Sequence, residues 1–329
     1  NAPEEIVKGA VRAKRELGVH VTLVGIEDKV RACLKAEGCA DGEEEVVNAS
    51  EVVTMEDDPS PAPRRKKDSS MAVALTMLKD GKGDAVVSAG STGALLTGAT
   101  LTVKRIRGIR RAAMAPVLPS GEHGVMLIDC GANVECTAEY LLQFAYMGSF
   151  YAKKLMGCEN PRVGLLNVGT EDTKGGELQH QAFALLKEAH EDGRINFVGN
   201  VEGSQVPLGA CDVAVCDGFM GNVLLKTVEG TAKFMAHEIK KVFTASAGTK
   251  VGYLLCKKGM DDFREMFNQD KVGGAPFLGI AKPVIKAHGN ADAAVIYGTL
   301  HQAATFVETG VMDAIRAAVT PAEPAKEEE

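Results

Sequence analysis

Polar and small residues follow four of the buried strands that the sequence predicts, at the point where each strand ends. In doubly wound α/β proteins, ligands bind at the carboxyl ends of the strands, where the next helix presents its N-terminus. Hydroxyl, ammonium and backbone N–H groups there can hold an anion, and carboxylates can orient them. The pattern therefore predicts a cleft for an anionic ligand. Its residues are Ser88, Ser91, Thr92, Gly93, Asp129, Lys174, Asp217 and Asn222.

Each of these loops also has a purely structural interpretation. Residues 88–94 could form a tight strand-to-helix turn that binds nothing, and each Asp could cap a helix or form an Asx turn. Repetition at four strand ends favours a ligand site, because glycine in regular structure costs about 0.5 to 1 kcal/mol relative to alanine and is kept for a reason.

Lys286 and His288 lie two residues apart before a predicted helix near the end of the chain. Such a pair could stabilise negative charge or transfer a proton. The alternative is that His288 hydrogen-bonds a neighbouring loop and that Lys286 is solvated. The sequence leaves both interpretations open.

The basic run Arg64, Arg65, Lys66 and Lys67 stands against an acidic background and follows three prolines. A charge run is usually a solvated face of the protein. The alternative is a docking site for an acidic partner, whose encounter would be steered by charge and weakened by salt.

Residues 243–273 interleave apolar side chains with lysines and arginines, which predicts a projecting amphipathic helical segment. The segment could form a dimer contact, cover the core or lie on a membrane surface. The residues predicted to contact the membrane are Tyr253, Leu254, Leu255, Phe263 and Phe267.

Apolar runs alternate with amphipathic stretches from the beginning of the chain, which predicts an α/β fold with a doubly wound, mostly parallel sheet sandwiched by helices. Residues 1–320 are predicted to form one two-lobed catalytic unit, and the Pro-, Ala- and Glu-rich residues 321–329 a disordered tail. Strands are predicted over 20–25, 45–48, 84–89, 113–118, 124–129, 162–168, 195–199 and 212–216. Helices are predicted over 4–17, 92–105, 138–156, 176–189, 221–242 and 291–307.

Composition excludes several classes of function. The chain has 329 residues, with 37 Lys and Arg against 44 Asp and Glu, and this acidic balance argues against nucleic acid as a general partner. The eight cysteines form no Cys-x-x-Cys pair, so we expect reduced thiols in a cytoplasmic protein and no metal site. No apolar run approaches the ~20 residues of a membrane span, and we expect no signal peptide.

A series of strings along the chain is distinctive in order and spacing. They are RRKKDSS (64–70), SAGSTGA (88–94), APVLP (115–119), DCGAN (129–133), LLQFAYMGS (141–149), NPRVGLLNVG (160–169), NFVGNVEG (196–203), CDGFMGNVLLKTVEG (216–230), GGAPFLG (273–279) and IKAHGNADA (285–293). Together they resemble the PlsX family of phosphate acyltransferases, from residue 1 to about residue 307.

This resemblance implies transfer of a long-chain fatty acyl group from acyl carrier protein to inorganic phosphate, giving acyl phosphate for phospholipid synthesis. It also implies a homodimer, a fold similar to the isocitrate and isopropylmalate dehydrogenase group and to phosphotransacetylase, and no cofactor. The protein is expected in the cytoplasm, peripherally associated with the inner face of the cell membrane, where a membrane acyltransferase consumes the product.

Two features depart from the family pattern. The family usually opens with a strand and a Gly-Gly-Asp turn before Asn-Ala-Pro, whereas this sequence begins at Asn1-Ala2-Pro3, so we expect one strand and part of the cleft to be missing from it. Ser91 stands where Asn is commoner, which changes the donor in the same loop.

The implied reaction needs no protein nucleophile, because phosphate is itself a nucleophile. The site must bind phosphate, stabilise the thioester oxyanion and accept a departing thiolate. We assign phosphate binding to Ser88, Ser91, Thr92 and Gly93. Oxyanion stabilisation or thiolate protonation is assigned to Lys174, Asn222 and His288, with Asp129 and Asp217 as orienting groups.

Three other functions fit parts of the sequence. The same architecture supports a phosphotransacetylase that uses coenzyme A thioesters. It also supports a decarboxylating dehydrogenase, which the absence of a clear G-x-G-x-x-G string and the spread of the Asp residues disfavour. A non-enzymatic membrane scaffold for lipid enzymes would leave the four polar strand ends unexplained.

Overall fold

The computed structural model describes residues 1–120, 123–266 and 273–319. The predicted tail and Phe267 lie outside the described residues. The helices are α1 Glu4–Leu17, α2 Glu27–Ala36, α3 Ala62–Arg65, α4 Ser70–Lys79, α5 Thr92–Thr102, α6 Ala138–Leu155, α7 Glu177–Glu191, α8 Gly218–Thr244, α9 Ala247–Met266, α10 Ala293–Glu308 and α11 Val311–Val319. The strands are β1 Thr22–Gly25, β2 Glu45–Asn48, β3 Val86–Ser88, β4 Ala113–Met114, β5 Val117–Leu118, β6 Val125–Ile128, β7 Arg162–Asn167, β8 Asn196–Glu202, β9 Val213–Val215, β10 Ala275–Leu278 and β11 Val284–Lys286.

A five-stranded sheet in the order β5-β6-β9-β7-β8 is parallel except for β5, which pairs antiparallel with β6. Its strands are buried on both faces, because successive side chains of a strand point to opposite sides. In β6, Met126 and Ile128 pack towards α6 and α7, whereas Val125 and Leu127 pack with the partly buried Leu224 and Val228 of α8. This sheet is therefore sandwiched by helices.

A second, four-stranded sheet has the order β3-β11-β10-β4, in which only β3 and β11 run parallel. Val86 of β3 packs with α4 and α5, while its neighbour Val87 packs with α10 on the opposite face. The remaining pair, β1 and β2, is parallel and packs with α1 and α2. Two layers of helices thus cover the second sheet as well, and the predicted α/β class is confirmed.

The predicted strand over 113–118 is divided in the structure. Ala115 donates its N–H to Pro276 O at 3.1 Å, which belongs to β10 of the four-stranded sheet, whereas Pro116 O accepts from Leu127 N of the five-stranded sheet at 3.0 Å. Pro116 has no N–H to continue a ladder. The chain therefore passes from one sheet to the other at this residue.

β10 and β11 lie in a segment where the sequence predicts no strand. The segment contains glycines at 273, 274 and 279 and a proline at 276, which are depleted in strands. The tertiary structure overrides this preference, because both strands are buried in the second sheet between β3 and β4.

Helices α8 and α9 form a pair that carries most of the predicted amphipathic segment. Apart from glycines at its N-terminus, α8 has no buried residue, and on α9 Leu254 and Leu255 are 68% and 86% exposed. The two helices touch through Phe243 and Tyr253, whose rings meet edge to face at 5.4 Å. Within the described residues, no helix combines the length and apolar character that crossing a membrane requires.

Candidate active site

The loop after β3 presents hydroxyl groups and the N-terminus of α5. Ser91 is buried and caps the helix by accepting from Ala94 N at 3.5 Å, and Ser88 Oγ accepts from Gly90 N at 3.2 Å. A serine that accepts in this way still has its own hydrogen to donate to a ligand. The first N–H groups of α5 lack intrahelical acceptors, as at every helix start. The loop therefore has the donors that an anion requires.

Gly93 allows the proline-rich loop to approach this helix start. A Cβ at Gly93 would lie 2.9 Å from Cβ of Pro59, closer than real side chains come. The basic run follows a few residues later, on and after α3. The predicted phosphate loop and the predicted docking segment are therefore neighbours.

Lys66 has an internal role within that basic run. Its Nζ donates to Asp57 at 2.6 Å and to Val52 O at 2.9 Å. The hydrogen bond from Lys66 lowers the pKa of Asp57 to about 2. Arg64, Arg65 and Lys67 are exposed, so they remain available to a partner.

Asp129 holds the loop after β6 in place. Its buried carboxylate accepts four hydrogen bonds, from the N–H groups of Met114, Ala132 and Asn133 and from the Asn133 amide, at 2.6 to 3.2 Å. Burial raises the pKa of Asp129, and these hydrogen bonds oppose the rise. The carboxylate orients backbone rather than a catalytic side chain.

The N-terminus of α8 rests on this same loop. Asp217 caps the helix by accepting from Met220 N at 2.8 Å. A Cβ on Gly221 would lie only 1.9 Å from Asp129 O, so only glycine permits this contact. Asn222 is exposed beside Gly131, and among the described residues its amide makes no hydrogen bond. The Asn222 amide is thus available to a ligand.

Two buried amides that the sequence did not single out hold the loop 167–175. Asn167 donates to Asn200 Oδ1 at 3.1 Å and to Lys174 O at 3.0 Å. Asn200 in turn donates to Glu171 O at 2.8 Å. Asn167 ends β7 and Asn200 lies within β8, each among mostly apolar neighbours. A polar residue in such a buried strand needs a hydrogen-bond partner, and this is the sequence signal that could have identified both.

Lys174 itself is half-exposed, with its ammonium 3.9 Å from Glu171. In the described part of the chain it has no hydrogen bond or ion pair outside its own loop. The structure therefore does not join Lys174 to the other predicted site residues.

Positive side chains from the end of β11 and from α8 lie close enough to interact electrostatically. Lys286 is only 9% exposed, so the interpretation of Lys286 as a solvated residue is wrong. Partial burial and the ammonium groups of Lys226, Lys286 and Lys233 lower the pKa of His288, which Glu229 opposes. Lys226, Glu229 and Lys233 occur at helical spacing on α8, one turn and more beyond Asn222. The end of β11 and α8 together form a cationic wall.

The cysteines near Asp129 are poor nucleophiles. Burial raises the pKa of Cys136 to about 12, and it raises those of Cys130 and Cys216 well above the ordinary value. A thiol must ionise to attack a carbonyl carbon. The arrangement therefore suits chemistry in which the substrate itself supplies the nucleophile.

One cluster in the described residues has the composition of a metal site. Ligand atoms of Cys39, Glu43 and Glu44 lie within 4.8 Å of one another. The Lys14 ammonium already lies 3.1 Å from Glu44 and donates to Glu43 O at 2.6 Å. A cation of the protein thus neutralises this turn, which lies between α2 and β2.

Comparison with known proteins decides the family. A family model described as fatty acid synthesis protein matches residues 1–314. The chain belongs to this family. A phosphate acyltransferase of Thermoanaerobacter pseudethanolicus is 44% identical over 317 residues, which cover 96% of this chain and 93% of that protein. A phosphate acyltransferase of Clostridium acetobutylicum is 44% identical over 316 residues, covering 96% and 94%.

A solved structure has a fold similar to that of this chain. A phosphotransacetylase from Streptococcus pyogenes matches with a TM-score of 0.62 and 18% identity, covering 95% of this chain and 92% of that one. At that identity the likeness shows the fold alone. The predicted family, fold class and acyltransferase activity are confirmed by these comparisons.

We predict that Asn200→Ala loosens the loop that carries Lys174. The change removes two buried hydrogen bonds, which costs about 1 to 3 kcal/mol of stability and frees Glu171 O. Hydrogen exchange of residues 167–175 should accelerate while the strands stay protected. The control is Asn196→Ala on the same strand, which loses one bond to Asn160 O at 3.3 Å. Equal exchange in both variants would contradict the role of Asn200.

Proposed function

We propose that the protein transfers a long-chain fatty acyl group from acyl carrier protein to inorganic phosphate and releases acyl phosphate for phospholipid synthesis. The observation that carries this proposal is the agreement between its 44% identity to phosphate acyltransferases and its anion-binding strand ends. Phosphate oxygen attacks the thioester carbonyl, the carbon–sulfur bond breaks, and the carrier leaves as a thiolate that takes up a proton. No protein nucleophile is required.

The proposed roles follow the geometry. Ser88, Ser91, Thr92 and the N–H of Gly93 bind phosphate at the start of α5. Asn222 and His288 donate hydrogen bonds to the thioester oxyanion, and the lowered pKa of His288 favours the neutral form of its imidazole.

Three further residues support that site. Lys174 supplies positive charge from its half-exposed side chain, and Asp129 and Asp217 position the loop and helix that carry the donors. Neither carboxylate touches the reacting atoms.

We predict that His288→Ala lowers kcat by more than about tenfold, because a donor to charge that develops in the transition state is lost. The assay mixes the protein with palmitoyl acyl carrier protein and phosphate, follows thiol release and traps acyl phosphate with hydroxylamine. His301→Ala, on the exposed face of α10, is the matched control. A loss of stability without a fall in kcat would remove His288 from the site.

The same assay separates the proposed reaction from its rival. Acetyl coenzyme A in place of the acyl carrier protein tests for a phosphotransacetylase, whose fold this chain shares. Turnover of acetyl coenzyme A alone would replace the proposed substrate, and no phosphate-dependent thiol release from either donor would overturn the proposed function.

We propose that the exposed Arg64, Arg65 and Lys67 dock the acidic carrier protein. We predict that reversing these three charges to Glu raises the KM for palmitoyl acyl carrier protein about tenfold and weakens its salt dependence, with kcat unchanged. Lys79→Glu with Lys82→Glu, at the C-terminal end of α4 and just after it, is the control with exposed lysines. An equal KM in both variants would argue against this docking site.

The α8–α9 pair is proposed to contact the cytoplasmic face of the membrane, where a membrane acyltransferase takes up the product. The protein is also proposed to be a homodimer. We predict that Leu254→Glu with Leu255→Glu abolishes flotation with anionic liposomes, because burying a carboxylate in lipid is costly. Leu208→Glu, 84% exposed elsewhere, is the control. Flotation that persists in the Leu254→Glu, Leu255→Glu variant would contradict the membrane proposal. Sedimentation should show dimers of the unaltered protein and of this variant, and monomers of the unaltered protein would contradict the proposed dimer.

A further inference from the structure

Lys286 is a buried ammonium group without a carboxylate partner. Its residue is 9% exposed, and Nζ donates to the carbonyl oxygens of Ala89, at 3.4 Å, and Ala287. Among residues 1–120, 123–266 and 273–319, no Asp or Glu forms an ion pair with it. Buried charges are normally paired, because removing an ion from water is costly.

The side chain reaches the predicted phosphate loop because β3 and β11 pair in parallel. Lys286 stands opposite Ser88 in the register, and Ala287 N donates to Ser88 O at 3.0 Å. Ala89, whose carbonyl accepts from the ammonium, comes two residues before the N-cap Ser91 of α5. The ammonium thus lies at the base of the helix start that we propose to bind phosphate.

The charges around Lys286 do not neutralise it. Burial, and secondarily the Lys226 ammonium on α8, lower the pKa of Lys286 to about 8. The other titratable groups near Lys286 are His288, Lys233 and Glu229. The Glu229 carboxylate already forms an ion pair with the Lys226 ammonium at 2.9 Å, so it does not neutralise Lys286. An anionic ligand is the missing counter-charge.

We propose that Lys286 is a substrate-binding residue whose ammonium group is the counter-ion of the phosphate bound at residues 88–93. This proposal rests on the proposed function and names the cation of its phosphate site. A helix N-terminus with a lysine beside it combines partial and full positive charge, as phosphate sites in other folds do. Removing the ammonium should therefore weaken phosphate binding more than acyl donor binding.

The pH dependence follows from the direction of the pKa shift. In the free protein Lys286 is charged below about pH 8 and neutral above it. Phosphate binds the charged form. The KM for the phosphate dianion should therefore stay nearly constant from pH 7 towards pH 8 and rise above about pH 8. An arginine in its place stays charged across this range. The KM of the Lys286→Arg variant should therefore not rise above pH 8.

The test compares Lys286→Met and Lys286→Arg with Lys282→Met. Lys282 is a matched control, because its Nζ also donates to a backbone carbonyl, Leu78 O at 2.6 Å, but precedes β11 instead of ending it. Lys286→Met should raise the KM for phosphate roughly 10- to 100-fold, as loss of a charged hydrogen bond does, with little change in the KM for palmitoyl acyl carrier protein. Lys282→Met should leave both unchanged.

Thermal unfolding with added inorganic phosphate gives a readout that needs no turnover. Phosphate should raise the Tm of the unaltered protein and of Lys282→Met, and not that of Lys286→Met. Without phosphate, Lys286→Met should be at least as stable as the unaltered protein, because it no longer buries an unpaired charge. A structural lysine would instead lower the Tm on replacement.

The outcomes separate the two proposals. A wild-type protein that transfers acyl groups to phosphate, with an unchanged phosphate KM in Lys286→Met, overturns the role of Lys286 alone. A wild-type protein whose Tm responds to phosphate through Lys286, without acyl transfer, supports the anion site and overturns the proposed reaction. A Tm response to phosphate that persists in Lys286→Met overturns the role of Lys286 in either case.

Discussion

The buried carboxylate of Asp129 fixes the loop on which α8 stands, and the cleft depends on that contact. Its four hydrogen bonds hold the backbone at residues 129–133 so that Asp129 O can meet Gly221 directly. A helix placed this closely has little freedom to shift. Asn222 and Lys226 lie on its first turns, so their positions follow from the hydrogen bonds that the Asp129 carboxylate accepts.

The proposed site draws its residues from two different sheets. β6, β7 and β9 of the five-stranded sheet lead into the loops below α8, while β3 and β11 of the four-stranded sheet supply Ser88 and Lys286. The chain passes between these sheets at Pro116, where neighbouring carbonyl and N–H groups bond to different ladders. The proposed site requires that donors from both sheets face one ligand.

The charge at the proposed site is positive, whereas the net charge of the chain is negative. The whole sequence has a formal charge of −7, yet Lys226, Lys233 and Lys286 converge around His288 with one carboxylate among them. Local excess of one sign raises the local concentration of the opposite ion and strengthens its binding where water is partly excluded. A chain with net negative charge can in this way hold a local excess of positive charge, which the proposed phosphate site requires.

The sequence by itself determined the α/β class, the family and the strand-end loops, because alternation of apolar runs and the order of short strings are local properties of the chain. It also marked Asp217 as a candidate cap, which follows from residue type next to a helix start. The tertiary structure decided which residues meet. The sequence left open whether Lys286 is solvated, and the pairing of β11 with β3 shows that it is buried. The sequence marked Asp129 as an orienting group, and only the structure shows which N–H groups its carboxylate holds. Burial and pairing depend on contacts between residues far apart in the chain, and local sequence patterns do not contain them.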